Sequence, residues 1–201
     1  MAGNFTNQQS NDMAEAERLA PFILKWETGT VKKENESMEA YFGRCRKNGY
    51  ANDPSDAGGA TMCGVTLSTY RCFKACQGIT ATQLKRMTYQ EWYKIFKTMY
   101  WDRWKADNII SQGIANILVD WVWGSGRYGI TRPQRLLGVK ADGIVGAKTL
   151  AALNSRSPLP LWAAIKADRK KYIDQIIAAR PLNAKFRTGW MNRLNDLKYT
   201  E

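Results

Sequence analysis

Apolar residues recur three or four positions apart along most of this chain, which is the spacing of one face of an α-helix. The first such stripe consists of Leu19, Phe22, Ile23 and Trp26. We expect its helix to end at Gly29, because glycine readily adopts the left-handed conformation that closes a helix.

Further stripes predict helices over much of the remaining chain. Thr88 and Glu91 have the spacing of a capping box, which marks a helix start. Residues 109–123 are apolar on nearly all sides, as expected of a central buried helix. The later stripes predict a helix starting near Pro133, a short one at 149–153, a long one at 161–176 and a last one at 186–197.

Two segments lack this periodicity. Residues 31–49 are charged and irregular, which predicts a surface excursion. Residues 49–67 are rich in Gly, Asp, Asn and Pro and predict turns with a short hairpin. The predicted fold class is therefore mainly α: a helical bundle around a central buried helix, with a small β or loop region near residues 50–66.

Composition narrows the range of partners without choosing one. The 30 Lys and Arg residues exceed the 18 Asp and Glu residues, for a net charge of +12. Such a charge attracts nucleic acid, anionic lipid or an acidic cell wall, and a merely solvated basic surface is equally compatible with it. With no histidine and no CxxC pair among four cysteines, no metal site is predicted. No apolar run is long enough for a membrane span, and no signal peptide is evident.

Glu27 is the first candidate for chemistry. It lies four residues after Ile23, so it should end a helix beside the core. A carboxyl group in such a place is partly removed from water, and the helix C-terminus disfavours negative charge there. Both effects favour the protonated form that a general acid for glycosidic cleavage requires. Spacing alone favours a solvated surface glutamate.

The turn-rich segment contains the second group of candidates. Asp53, Asp56 and Thr61 surround paired glycines that would let the backbone approach a ligand closely. These side chains could position a water molecule or stabilise positive charge developing on a sugar. Ordinary turn formation explains the same composition.

Taken together, these residues resemble glycoside hydrolase family 108, the lysozyme-like N-acetylmuramidases of phages and prophages. The family signature is E-G-G-Y-x-N-D-P-x-D-x-G-G-x-T-x-x-G-I-T, and residues 49–66 read GYANDPSDAGGATMCGVT. Residues 136–150, with LLGV, DGIVG and KTL, resemble the family's C-terminal peptidoglycan-binding region. The E-G-G-Y block is broken here, because TGT follows the glutamate and an insertion precedes residue 49.

The resemblance implies roles for particular residues. Glu27 falls on the family's catalytic glutamate, and Asp53, Asp56 and Thr61 fall in its active-site loop as substrate- or water-positioning residues. Asp120 falls on an aspartate of the central buried helix and is expected to serve the same positioning purpose. The insertion adds alternative candidates for the acid: Glu34, Glu36 and Glu39.

The resemblance also implies an organisation and an activity. We expect a flexible N-terminus at 1–11, a lysozyme-like catalytic region at 12–126 and a peptidoglycan-binding-like helical region at 127–201. The implied reaction is hydrolysis of the β-1,4 bond between N-acetylmuramic acid and N-acetylglucosamine, without cofactor or metal. The implied protein is a monomer, made in the cytoplasm and acting on the wall after release. A non-catalytic peptidoglycan-binding module is the alternative, and a basic nucleic-acid binder is a second one without a recognisable motif.

Overall fold

The computed structural model describes residues 13–52 and 59–201. Within these ranges the structure has ten α-helices and a small three-stranded antiparallel sheet, which confirms the predicted mainly helical fold class. The helices, α1 to α10, span Ala16–Thr28, Met38–Asn48, Leu67–Phe73, Ala81–Lys85, Tyr89–Phe96, Gln112–Ser125, Tyr128–Leu137, Ala147–Asn154, Pro158–Ala179 and Arg187–Asp196. The strands, β1 to β3, span Tyr50–Ala51, Thr61–Met62 and Val65–Thr66.

The central buried helix predicted from residues 109–123 is α6. Its residues from Gln112 to Val122 are buried except for Asn116, so the helix has core on nearly every side. It packs against α7 and α9. The predicted boundary at 126/127 stays a prediction, but the helices on its two sides are in direct contact.

The sheet confirms the short hairpin predicted within residues 49–67. Strand β2 pairs with β1 and β3, and Met62 lies opposite Val65, which leaves two residues for the turn between β2 and β3. Those residues, Cys63 and Gly64, have φ values of 48° and 79°. Positive φ at both central positions is the hallmark of a type I′ turn, whose twist matches that of the flanking strands.

The structure corrects the interpretation of residues 31–49 as irregular. Residues from Met38 onward form α2, and the hydroxyl of Ser37 caps its first turn. Tyr41, Phe42 and Cys45 are buried, so this charged segment contains a helix with one apolar face. The high charge lies on the opposite face, which is why the short stripe was overlooked.

Pro133 was expected near a helix start and lies instead inside α7. A proline in a helix interior lacks the N–H that would reach the carbonyl four residues earlier, here that of Gly129. The indole of Trp104 donates to that oxygen at 3.1 Å, which satisfies the freed acceptor. The contact from Trp104 thus offsets the cost of placing Pro133 inside a helix.

Candidate active site

Glu27 lies in the last turn of α1. The helix ends at Gly29 as predicted, with a left-handed φ of 68° and an N–H bond to the carbonyl of Lys25 at 2.8 Å. The Glu27 side chain remains 21% exposed. It therefore sits at the boundary between core and solvent, where a carboxyl group can both be held in place and reach a ligand.

One oxygen of the Glu27 carboxyl group accepts two hydrogen bonds. Trp123 Nε1 donates to Oε1 at 2.8 Å, and Arg193 Nη1 donates to the same atom at 2.7 Å. Among the hydrogen bonds of the described residues, none involves Oε2. Within the described residues, the carboxyl group is thus anchored through Oε1 alone.

The β2–β3 turn presses against the same carboxyl group. A Cβ atom placed on Gly64 would lie 2.7 Å from Cγ, Cδ and Oε2 of Glu27. That distance is far below ordinary van der Waals contact, so only glycine allows this approach. Gly64 therefore has two reasons to be glycine: its positive φ and its contact with Glu27.

An aromatic cluster holds the indole that binds Glu27. Trp123 stands near the end of α6, and its ring centroid lies 4.4 Å from that of Tyr100. Tyr100 belongs to a π-helical turn, Lys97–Trp101, that continues α5. Such turns are rare and occur often at functional sites. Burial raises the pKa of Tyr100 and the charge of Glu27 adds to the effect, so the phenol keeps its proton.

Beneath Glu27 lies a cluster of buried charges. Asp120 is fully buried in α6, and its Oδ1 accepts from Nε and Nη2 of Arg193 at 3.0 and 2.7 Å. Arg169 Nη1, from α9, lies 2.7 Å from Oδ2 in an ion pair. Burial alone would raise the pKa of Asp120, but the two guanidinium groups outweigh it and hold the pKa below its usual value.

Glu27 and the two arginines line a cavity of about 370 Å³. Its lining combines these charged side chains with aromatic and aliphatic ones. The lining residues are Glu27, Gly64, Trp121, Trp123, Gly124, Ser125, Arg169, Tyr172, Ile173, Ile176, Trp190 and Arg193. A pocket that combines apolar walls with a few convergent polar groups is typical of a ligand site.

The other predicted site residues have different surroundings. Asp53 and Asp56 lie outside the described residues, so their roles stay predictions. Thr61 is half-buried in β2, opposite Thr66, and no described hydrogen bond joins it to Glu27. The expected positioning role of Asp120 stays a prediction too, although its observed contacts are with arginines.

Two of the alternative glutamates in the insertion, Glu36 and Glu39, have surroundings unlike those of Glu27. The Arg44 guanidinium and the backbone N–H of Lys33 lower the pKa of Glu36 to about 2, so this carboxyl group holds no proton near neutral pH. Glu39 is exposed and accepts from Gln90. Neither residue lines the cavity that contains Glu27.

Sequence reasoning missed the two arginines and the contact between Gly64 and Glu27. Arg169 follows Ile165 by four residues, and Arg193 follows Trp190 by three, so each lies within an apolar stripe of its helix. An arginine in such a stripe is a signal for a buried ion pair when an aspartate occupies an apolar helix elsewhere. That combination was present in the sequence.

Comparison with known families assigns a class to this fold and site. Residues 44–126 match the family model described as Glycosyl hydrolase 108, and residues 128–195 match the one described as Predicted Peptidoglycan domain. The chain therefore contains a glycosyl hydrolase 108 domain followed by a predicted peptidoglycan domain. Glu27 precedes the matched residues, so its role depends on the geometry described above.

Among solved structures, the chain is similar to SagA of Brucella abortus. The TM-score is 0.71, the sequence identity is 22%, and the match covers 90% of each chain. At 22% identity, this structural similarity establishes the fold alone. No curated protein shows a detectable match to the sequence. The helices of the described residues include none that is both long and apolar enough to cross a bilayer.

Proposed function

We propose that this enzyme hydrolyses the β-1,4 bond between N-acetylmuramic acid and N-acetylglucosamine in bacterial peptidoglycan, with Glu27 as the general acid. The observation that carries the proposal is the position of the Glu27 carboxyl group, which is anchored on one oxygen and lines a cavity with aromatic walls. The family matches support the polymer class, because one domain belongs to glycosyl hydrolases and the other to peptidoglycan domains.

The geometry of Glu27 suits proton donation. A general acid must present its proton to the leaving-group oxygen at hydrogen-bond distance. Because Oε1 already accepts from Trp123 and Arg193, the proton resides on Oε2 in the acid form. The glycosidic oxygen then binds at Oε2, from the cavity that Glu27 lines.

The remaining cavity wall suits a sugar chain. Tyr172 and Trp190 line the same cavity as the acid and offer aromatic surfaces for the apolar faces of sugar rings. The net charge of +12 speeds encounter with an acidic wall. The place of action in this proposal is the cell wall, and the resemblance to phage and prophage enzymes adds a role as an endolysin.

The second half of the reaction needs a group that orients water or stabilises the oxocarbenium ion. Asp53, Asp56 and Thr61 are our candidates, because the family signature runs through them and the strand that follows leads directly to Gly64. The distance between the acid and the second carboxyl group decides whether configuration is retained or inverted.

The test of the acid is Glu27→Gln. Glutamine keeps an oxygen that accepts from Trp123 and Arg193 but has no proton to give, so lysis should fall by about 10²–10⁴-fold. The melting temperature should hardly move. The matched control is Glu39→Gln, an exposed glutamate that should leave lysis unchanged. Full lysis by Glu27→Gln would remove the acid from this position.

The bond is identified by mass analysis of digested wall. A muramidase leaves N-acetylmuramic acid at the new reducing ends, whereas N-acetylglucosamine there would indicate a glucosaminidase. Released stem peptides without new reducing ends would indicate an amidase. Purified wild-type protein that binds wall but produces no fragments would favour the non-catalytic module.

A further inference from the structure

The last helix of the chain reaches across the fold to the candidate acid. Arg193, in α10, places Nη1 2.7 Å from Glu27 Oε1 and its Nε and Nη2 on Asp120 Oδ1. Its side chain is only 14% exposed. We propose that Arg193 is a positioning residue for Glu27, and that the peptidoglycan-domain portion of the chain thereby completes the catalytic site. This inference rests on the proposed role of Glu27.

Arg193 is itself rigidly held. A planar guanidinium that binds one carboxylate through two nitrogens has a defined orientation, and here that carboxylate belongs to the central helix. The ring of Phe22 in α1 lies 5.9 Å from the guanidinium carbon. Three helices, α1, α6 and α10, therefore fix the group that binds Glu27.

A second arginine, Arg169, belongs to the same cluster of charges. Two carboxyl groups, Glu27 and Asp120, face two guanidinium groups, Arg169 and Arg193. Arg169 pairs with Oδ2 of Asp120, while Arg193 binds Oδ1 and reaches Glu27 through its Nη1. The role we assign to Asp120 is thus to orient Arg193.

These contacts restrict the orientation of the Glu27 carboxyl group. Arg193 and Trp123 approach Oε1 together, and the Gly64 turn blocks movement on the Oε2 side. A carboxyl group restricted in this way presents Oε2 to the cavity in one orientation. Catalytic groups lose about 100-fold in rate when misplaced by about 1 Å, so this restriction bears directly on turnover.

In this proposal the C-terminal region contributes a residue to the catalytic site and does more than bind the wall. Residues 128–195 match a peptidoglycan domain, and a separate binding module would affect only how tightly the wall is held. Arg193 lies within this match and touches Glu27, which lies outside either match. Loss of Arg193 should therefore impair turnover of bound substrate more than binding.

The test compares Arg193→Gln and Arg193→Lys with Arg187→Gln in the full-length protein. Arg187 lies on the same helix and pairs with Asp174, both about half exposed, so it is a surface control. Measured quantities are kcat and KM on soluble peptidoglycan fragments, sedimentation with whole wall, and the melting temperature. We expect Arg193→Gln to lower kcat by about 10²-fold with KM changed by less than about threefold.

Arg193→Lys guards against a folding defect. Lysine keeps the charge beside Asp120 but has no planar fork to span both carboxyl groups, so folding should survive while kcat falls by about tenfold. Added guanidinium ion should restore part of the kcat of Arg193→Ala, which a merely structural loss would not allow. A kcat for Arg193→Lys equal to that of Arg187→Gln would overturn the proposal.

Two further variants separate this inference from the proposed function. If Glu27→Gln is inactive and the double variant with Arg193→Gln is no worse, the two residues act as one unit. If Glu27→Gln is inactive but Arg193→Gln matches the surface control, only the positioning role fails. If Glu27→Gln stays active, the assignment of the acid fails and the positioning role fails with it.

Discussion

Gly64→Ala adds one methyl group at the point where the β2–β3 turn touches Glu27. The backbone there has a φ of 79°, and a residue with a Cβ atom costs about 1–2 kcal/mol in this left-handed region. For a chain of this size, such a loss lowers the melting temperature by roughly 2–8 °C. That part of the effect is independent of the site.

The second part acts on Glu27. The new Cβ atom would stand 2.7 Å from Cδ, whereas carbon atoms in contact lie about 3.5–4.0 Å apart, so the carboxyl group must shift by about 1 Å. A shift of that size at a catalytic group reduces the rate by about 100-fold. We therefore expect kcat to fall far more than stability alone would explain.

Gly138→Ala is the matched control for both measurements. Gly138 has a φ of 74°, and a Cβ atom on it would meet nothing within 4 Å. It should show a similar loss of melting temperature but unchanged lysis, measured by wall-suspension clearing well below either melting temperature. Equal lysis by Gly64→Ala and Gly138→Ala would refute the argument that the turn sets the position of Glu27.

Two further predictions concern the core. Trp104→Phe removes the donor to the Gly129 carbonyl that Pro133 leaves free, so the free energy of unfolding in urea should fall by about 1–3 kcal/mol while lysis persists; an unchanged value would mean that this carbonyl needs no partner. Because the folded-state pKa of Asp120 lies below its unfolded value, its ion pair with Arg193 stabilises the fold above about pH 4 and is lost as the pH falls through the lower folded value. Asp120→Asn should cost about 3–5 kcal/mol near neutral pH and flatten this acid limb in urea titrations, whereas an unaltered limb would contradict the assignment.

Periodicity and turn chemistry along the chain were enough to predict much of the fold. The stripe ending at Gly29, the capping box at Thr88 and the central helix from residues 109–123 were all apparent, because each depends on neighbours within a few positions. The helix within residues 31–49 was missed, since its apolar face is short and surrounded by charge. Pro133 was misplaced because the compensating donor, Trp104, is distant in sequence.

The candidate site, like the fold, has some features that the sequence predicts and others that only the tertiary structure shows. The sequence by itself determined that Glu27 ends a helix beside the core and that a glycine-containing hairpin lies within the signature segment. Only the tertiary structure decided that the Gly64 turn meets this carboxyl group and that Arg193, 166 positions away, binds it. The physical reason is that ion pairs and close contacts depend on distances of a few ångströms between separate helices. Local spacing carries no information about those distances until the helices have packed around Asp120.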